Sequence, residues 1–585
     1  MGVTKGNRLI GAALLCISSA VTTAEQDLYD EYWDFALSVD PFLATRSGDY
    51  RFNDRVPDVS ESAQHARLQK LREFASRVKS PDSKVDGDSL NAQILGFILE
   101  HELALGEFVP WRIPFLSDAG FHINIGYVVS STRFEKMEDY LDYLARLDAL
   151  PGFLEQNRIN MQLGIESGFT QPREIMDRIL PSFEAQVTDS AETHPLYTPF
   201  FDIPDSVPQE DQEQLRDKAR QLLAKKVIPA YANVRDFMRE RYVPNARTTL
   251  GASELPGGKA YYSALVRYYT TLDSATPDNV HERGLREVAR IREEMSEIVA
   301  DTDFHGSFDE FLEFLRTDPQ FYARTPEELL MRAAWIAKQT DGRLPAYFGK
   351  LPRQPYSVDP VPDDIAPNYT AGRYVPAPPG GRRGGQYWVN TYALETRALY
   401  QLVALSLHEG VPGHHLQGAL AYEIEDAPVF RQQFYPHAYG EGWALYAEKL
   451  GVEMGMYDTP YDHFGRLSYE MWRACRLVVD TGIHAKGWTR KQAVDYLASN
   501  TALSMHEVGT EIDRYIAWPG QALAYKIGEL TLWDLRREAE AALGDAFDIR
   551  DFHDVVLTSG GVPLNLLKIM VKQYIRQTPR ERGAP

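Results

Sequence analysis

The segment His408-Glu409-Gly410-Val411-Pro412-Gly413-His414-His415 places three imidazoles and a carboxylate within one short stretch. Seven of the 14 histidines lie between His408 and His506, in about a sixth of the chain, so a site is to be sought there. In the common zinc-hydrolase pattern HExxH, two histidines four apart on one helix bind a metal, and the Glu between them activates its water. Here the fourth position after His408 is Pro412. His414 stands six residues on, about 240° around an ideal helix, and His415 stands two turns away, about 10 Å along it. Neither can share an ion with His408 on a regular helix. Gly410, Pro412 and Gly413 are the residue types that break or bulge one. The spacing therefore predicts a break or bulge between the histidines, with His414 or His415 as the second ligand.

A third ligand is expected downstream. Gly440–Glu448 reads as a helix with Glu441 near its start, 27 residues after His414, which leaves room for a turn and an antiparallel return. Glu448, seven further on and on the same face, suits a carboxylate that orients a ligand histidine. The three ligand atoms are expected to converge within about 4 Å. The same residues would also suit a saturated core cluster. A second polar set, Arg473, Arg476, Asp480 and His484, is spaced by three and four and shares one helix face. It reads either as a buried ion-pair network or as functional, with Arg473 and Arg476 binding a substrate carboxylate and His484, held by Asp480, donating to an oxyanion. Tyr515 and Tyr525 flank Trp518-Pro519-Gly520-Gln521 and are further candidate donors, or core aromatics.

The elements that must hold these residues are mostly helical. Residues 60–78, 88–107, 134–164, 207–240, 278–300 and 325–340 carry apolar residues at three- and four-residue spacing. Thr276-Pro277-Asp278 is a helix start, with a capping Thr, Pro at the first position and an acid in the first turn. Residues 351–385 are rich in Pro and Gly and read as a long connection. They lead into Gln386–Thr391, which is aromatic and β-branched and reads as a lone short strand. No repeat at 30–50 residues is evident. The expected organisation is a helical lobe over 25–350 and a second lobe over 351–585 that holds the chemistry, the two forming one domain with room for a shared core.

The N-terminus reads as an export signal: Lys5 and Arg8, an apolar run from Leu9 to Ile17, then Thr22-Thr23-Ala24 as a cleavage site. Residues 1–24 are then expected to be absent from the mature chain. A lipid on Cys16 would want Gly or Ala before it, where Leu15 stands, so lipid anchoring is the less favoured form. The chain carries 62 Lys+Arg against 83 Asp+Glu, a net charge of −21. Such a balance argues against nucleic acid and against anionic lipid surfaces as partners. No later apolar run is long enough for stable membrane insertion. Cys475 is the only other cysteine, so no disulfide can form after cleavage and the fold must rest on its core.

Several blocks together resemble the domain of unknown function 885 family: HEGVPGHHLQ, GEGWALYAE, RLVVDTGIH and RYIAWPGQALAYKIG, with DPFLATRSGDY, YYTTLDSATPDNVHERGLREV and GGQYWVN before them. The resemblance spans nearly the whole mature chain. That family is similar to helical zinc peptidases of the angiotensin-converting-enzyme, thimet-oligopeptidase and thermostable-carboxypeptidase type, which use HE-x-GH and a Glu some 25 residues later. The resemblance implies a large all-α, two-lobed fold with a deep channel. It implies one Zn2+ on His408, His414 and Glu441, and Glu409 as general base. It also implies short peptide substrates lying along a strand at the cleft edge, with Tyr387, Val389 and Asn390 in that strand. A zinc hydrolase of a non-peptide amide or ester, and a silent peptide-binding protein, are the alternative readings. A general base such as Glu409 would have no task in the last.

Overall fold

The computed structural model describes residues 23–79, 89–363, 365–377 and 383–578. The export signal expected at 1–24 therefore lies almost wholly outside the described residues. The fold is all-α with one small sheet. Helices Glu61–Lys79, Leu90–Gly106, Met137–Ser167 and Pro326–Asp341 stand where the apolar spacing predicts them.

Eight helices frame the site: α1 (Gly258–Thr270), α2 (Pro277–Ala300), α3 (Leu399–Glu409), α4 (His414–Tyr422), α5 (His437–Glu453), α6 (Pro460–Lys486), α7 (Met505–Ala517) and α8 (Leu523–Leu543). α2 starts at the Thr276 cap expected, and the cap is reciprocal: the Asn279 N–H donates to the Thr276 hydroxyl, and the Thr276 N–H donates back to the Asn279 side chain. α6 is buried along most of its length and packs against α2, α3 and α8. Arg290 of α2, Arg466 and Glu470 of α6, and Lys526 and Glu529 of α8 form a buried ionic cluster between them. α5 and α8 meet backbone to backbone: a Cβ on Gly442 would lie 2.4 Å from the Gly528 Cα, so a larger residue at either position would force the helices apart.

The strand expected alone is instead the centre of a three-stranded sheet. β1 (Tyr356–Pro360) and β2 (Gly372–Val375) flank β3 (Gly385–Val389), β1 in parallel and β2 antiparallel. Both outer strands lie inside the Pro- and Gly-rich stretch that reads as connection. Each is five residues or fewer, too short for a local pattern, and pairing to β3 is what defines them.

The hydrophobic interior does not divide at residue 350. One core joins Phe121, Leu147 and Phe237 to Met471, Val478 and Ile512. The other joins Leu28, Leu99 and Tyr262 to Leu407, Trp443 and Leu567. Each draws on both halves of the chain, with α2 against α6 as a main contact across that position.

Candidate metal centre

α3 ends on His408-Glu409, and α4 starts on His414. The predicted break is thus complete: two separate helices, rather than a bulge within one. Gly413 folds back against the end of α3, where a Cβ would lie 2.0 Å from the His408 carbonyl oxygen, so only glycine fits. The Val411–Pro412 peptide is cis. Trp443 of α5, wholly buried, donates its indole N–H to the Pro412 carbonyl at 2.8 Å. This one hydrogen bond ties the turn that aims His414 to the helix that carries Glu441.

The result is a convergence of His408, His414 and Glu441, whose ligand-type atoms all lie within 4.8 Å of one another. Glu441 Oε2 is 3.7 Å from His408 Nε2 and 3.6 Å from His414 Nε2. The two imidazole rings stand at 86° with centroids 4.8 Å apart. The full set is looser than the roughly 4 Å expected from the sequence, because the carboxylate draws each ring while the two rings have no attraction for each other. Two nitrogens and one carboxylate oxygen are the donor set of a catalytic zinc site with a fourth position left over.

The support is of the kind such a site requires. His408 donates from Nδ1 to Glu448 Oε1 at 2.7 Å, which fixes the tautomer that turns Nε2 to the cluster. Glu448 is buried and has Arg473 behind it at 3.7 Å. Burial works against a charged His408, but the carboxylates of Glu441 and Glu448 beside it outweigh that and push its pKa up to about 10. Burial likewise works against an ionised Glu441, and the two histidines overcome it and hold that carboxyl well below its usual range. The pocket thus stabilises positive charge between anionic carboxylates, which is the electrostatics a cation needs.

Glu409 is buried beside the cluster, and its Oε2 accepts the Tyr374 backbone N–H of β2 at 2.7 Å. Tyr435 donates its hydroxyl to Glu441 Oε1 at 3.3 Å. That phenol is 47% exposed, yet burial and the charge of Glu441 raise its pKa well above 10. The Tyr374 N–H reaches the site through tertiary packing, and Tyr435 reaches Glu441 only because Gly440 leaves room for its ring, so neither carries a clear signal in the sequence. The only cue was their nearness in sequence to Glu441 and to the GGQYWVN block.

The remaining expected residues lie elsewhere. His415 turns to the sheet: its Nε2 donates to the Gln354 carbonyl at 3.0 Å and its Nδ1 accepts from the Tyr374 hydroxyl at 3.2 Å. Burial pushes its pKa down to about 4. His484 does not touch Asp480. Its Nε2 donates to the Tyr515 carbonyl at 2.8 Å, and its Nδ1 accepts the Ala252 N–H at 3.0 Å. With both nitrogens committed and burial pushing its pKa down to about 3, it has no proton for an oxyanion. Asp480 accepts from the Tyr262 hydroxyl at 2.6 Å and from the Gly520 N–H. Tyr515 is saturated, donating to Glu511 and accepting from Trp472 and Arg476. Arg473 stacks on Tyr469 and Trp472, and Arg476 is buried between Trp472 and Tyr525. Tyr525 is the partly open member of that group.

In the sheet, Tyr387 is buried with its hydroxyl 3.3 Å from Ser406 Oγ, and Val389 is core. Asn390 donates to the carbonyls of Ala366, Tyr369 and Thr370. β3 therefore offers no edge. β2 is the strand beside Glu409. A cavity of about 590 Å³ lined by Tyr32, Trp33, Phe42, Phe121, Phe430 and Phe434 contains no member of the cluster.

Residues 41–571 match the family described as "Bacterial protein of unknown function (DUF885)". The chain belongs to the DUF885 family. A similar solved structure, named "putative lipoprotein", comes from Colwellia psychrerythraea: 28% identity, TM-score 0.88, covering 95% of this chain and all of that one. Another, a "putative lipoprotein of unknown function" from Shewanella oneidensis, shares the fold at 17% identity and TM-score 0.71, over 93% of this chain and 99% of that one. No curated protein matches. Among the described residues, no helix is long and apolar enough to cross a membrane.

Proposed function

We propose that this DUF885 protein is an exported zinc-dependent hydrolase that cleaves short peptides. The observation that carries the reading is the convergence of His408, His414 and Glu441 beside a buried Glu409. His408, His414 and Glu441 would hold one Zn2+, and the donor set, the His408–Glu448 hydrogen bond and the pocket's preference for positive charge all fit it. When bound, zinc acts as a Lewis acid and brings the pKa of its water toward neutrality.

The protein's own part is proton handling and placement. Glu409 has one oxygen tied to the Tyr374 N–H, which fixes its carboxylate and leaves Oε1 to take a proton from water and return it to the leaving amine. The same hydrogen bond sets β2 against the site. Residues 371, 373 and 375 pair inward with β3, as the Asn390 N–H to Ala371 carbonyl bond shows, so Gly372 and Tyr374 present their backbone outward. A peptide laid along that edge would pass Glu409, which moves the peptide-binding edge from β3 to β2. Export rests on the N-terminal signal pattern, and the lipoprotein names of the two solved relatives support it.

The test is a peptide-library digest with purified protein. Cleavage should stop with a chelator and return on adding zinc. A digest unaffected by chelation, or no cleavage of any peptide, contradicts the reading.

A further inference from the structure

The two oxygens of Glu441 are treated differently. Oε2 faces both histidines, at 3.7 and 3.6 Å. Oε1 turns away and accepts the Tyr435 hydroxyl at 3.3 Å. A carboxylate can bind a metal through one oxygen or through both. Binding through both fills a position that hydrolysis needs for water. We propose that Tyr435 is a positioning residue for the metal site: by occupying Oε1 it restricts Glu441 to one ligand oxygen and keeps the last position open. This rests on the zinc reading above.

The placement of Tyr435 is built for that contact. Its ring lies directly over Gly440, where a Cβ would be 2.2 Å from the Tyr435 Cζ and 2.3 Å from its hydroxyl oxygen. No side chain other than hydrogen at position 440 lets the phenol reach Glu441. Pro436 follows immediately, and a Cβ on Gly561 would meet the Phe434 carbonyl at 2.7 Å and Pro436 at 2.9 Å, so the segment is seated closely on both sides of the tyrosine. Core filling does not account for the ring, because 47% of it is exposed. Among the described residues, the hydrogen bond to Glu441 Oε1 comes from Tyr435, while Glu448 holds His408 and the Tyr374 N–H holds Glu409.

The experiment uses the full chain stripped of metal and titrated with Co2+, whose visible absorption reports coordination number. Wild type should take up one equivalent and show the intense spectrum of a four-coordinate site. Tyr435→Phe removes only the hydroxyl and should still bind one Co2+, with its visible absorption falling by more than half as Glu441 closes through both oxygens. Gly440→Ala keeps the phenol but displaces its ring, and should reproduce that change. It also improves local helix propensity, so loss of fold is not the expected cause. A Tyr435→Phe spectrum identical to wild type overturns the proposal and leaves the zinc reading standing. A wild-type spectrum no different from that of His414→Ala overturns the zinc reading, and this proposal with it.

Discussion

At the junction of α3, α4 and α5, His408, His414 and Glu441 turn their ligand atoms towards one point, whereas on α6 Arg473, Arg476, Asp480 and His484 turn theirs to four different ones. Both sets read from the sequence as candidate sites, each made of charged and imidazole side chains in helical segments, though only the second is spaced to share one helix face. In the first, each group keeps an atom free of backbone partners and aimed at its neighbours. In the second, His484 is held by two backbone groups and Asp480 by Tyr262 and Gly520. Helix spacing shows which residues share a face. What that face meets decides whether polar groups are consumed by the fold or left for chemistry.

The largest expected difference between the two regions is in turnover. Glu409→Gln keeps the size of the side chain and its bond to the Tyr374 N–H, and should lower the rate by roughly two or more orders of magnitude with metal content unchanged. A variant that keeps the wild-type rate on a verified peptide removes Glu409 as base. Next comes the support of the cluster. Glu448→Gln should weaken zinc binding by about tenfold or more, measured by competition with a chromogenic chelator. Unchanged affinity would mean that the His408–Glu448 hydrogen bond is only packing.

On the α6 side the effects should fall on stability instead. His484→Ala orphans the Ala252 N–H and the Tyr515 carbonyl, costing roughly 1–3 kcal/mol for those groups. Thermal unfolding should show the loss, while turnover per folded molecule stays at the wild-type level. A large fall in turnover without destabilisation would return His484 to the catalytic machinery. Asp480→Asn probes the same region through pH. Burial holds the Asp480 pKa up at about 7 from 3.8, so the fold prefers its protonated form. Its contribution is fully present below about pH 4 and is lost as pH rises through about 7, at most about 4 kcal/mol. The unfolding midpoint of wild type should therefore decline from pH 5 to 8 relative to that of Asp480→Asn, and parallel profiles would contradict this.

What the sequence made legible follows the range of the interactions involved. The long helices, the Thr276 cap and the break at Gly410–Gly413 depend on neighbours within a few residues, and all are present. Glu441 and Glu448 were legible because one helix presents both to the same side, seven residues apart. β1 and β2 were not, since pairing with β3 defines them in a stretch full of Pro and Gly. Nor were the partners of His415 and His484, which lie 31 to 232 residues away in the chain. Tyr435 was missed for a different reason: its value lies in the vacant space over Gly440, and an absent Cβ has no signature until the neighbouring ring is placed.

The central claim is that one metal ion is held by His408, His414 and Glu441, and that His415, one residue further on, takes no part. Metal analysis of the purified wild type beside His414→Ala and His415→Ala tests it directly. The account predicts one zinc per chain in wild type and in His415→Ala, and none retained by His414→Ala. Stoichiometric zinc in His414→Ala, or its loss from His415→Ala alone, would contradict it.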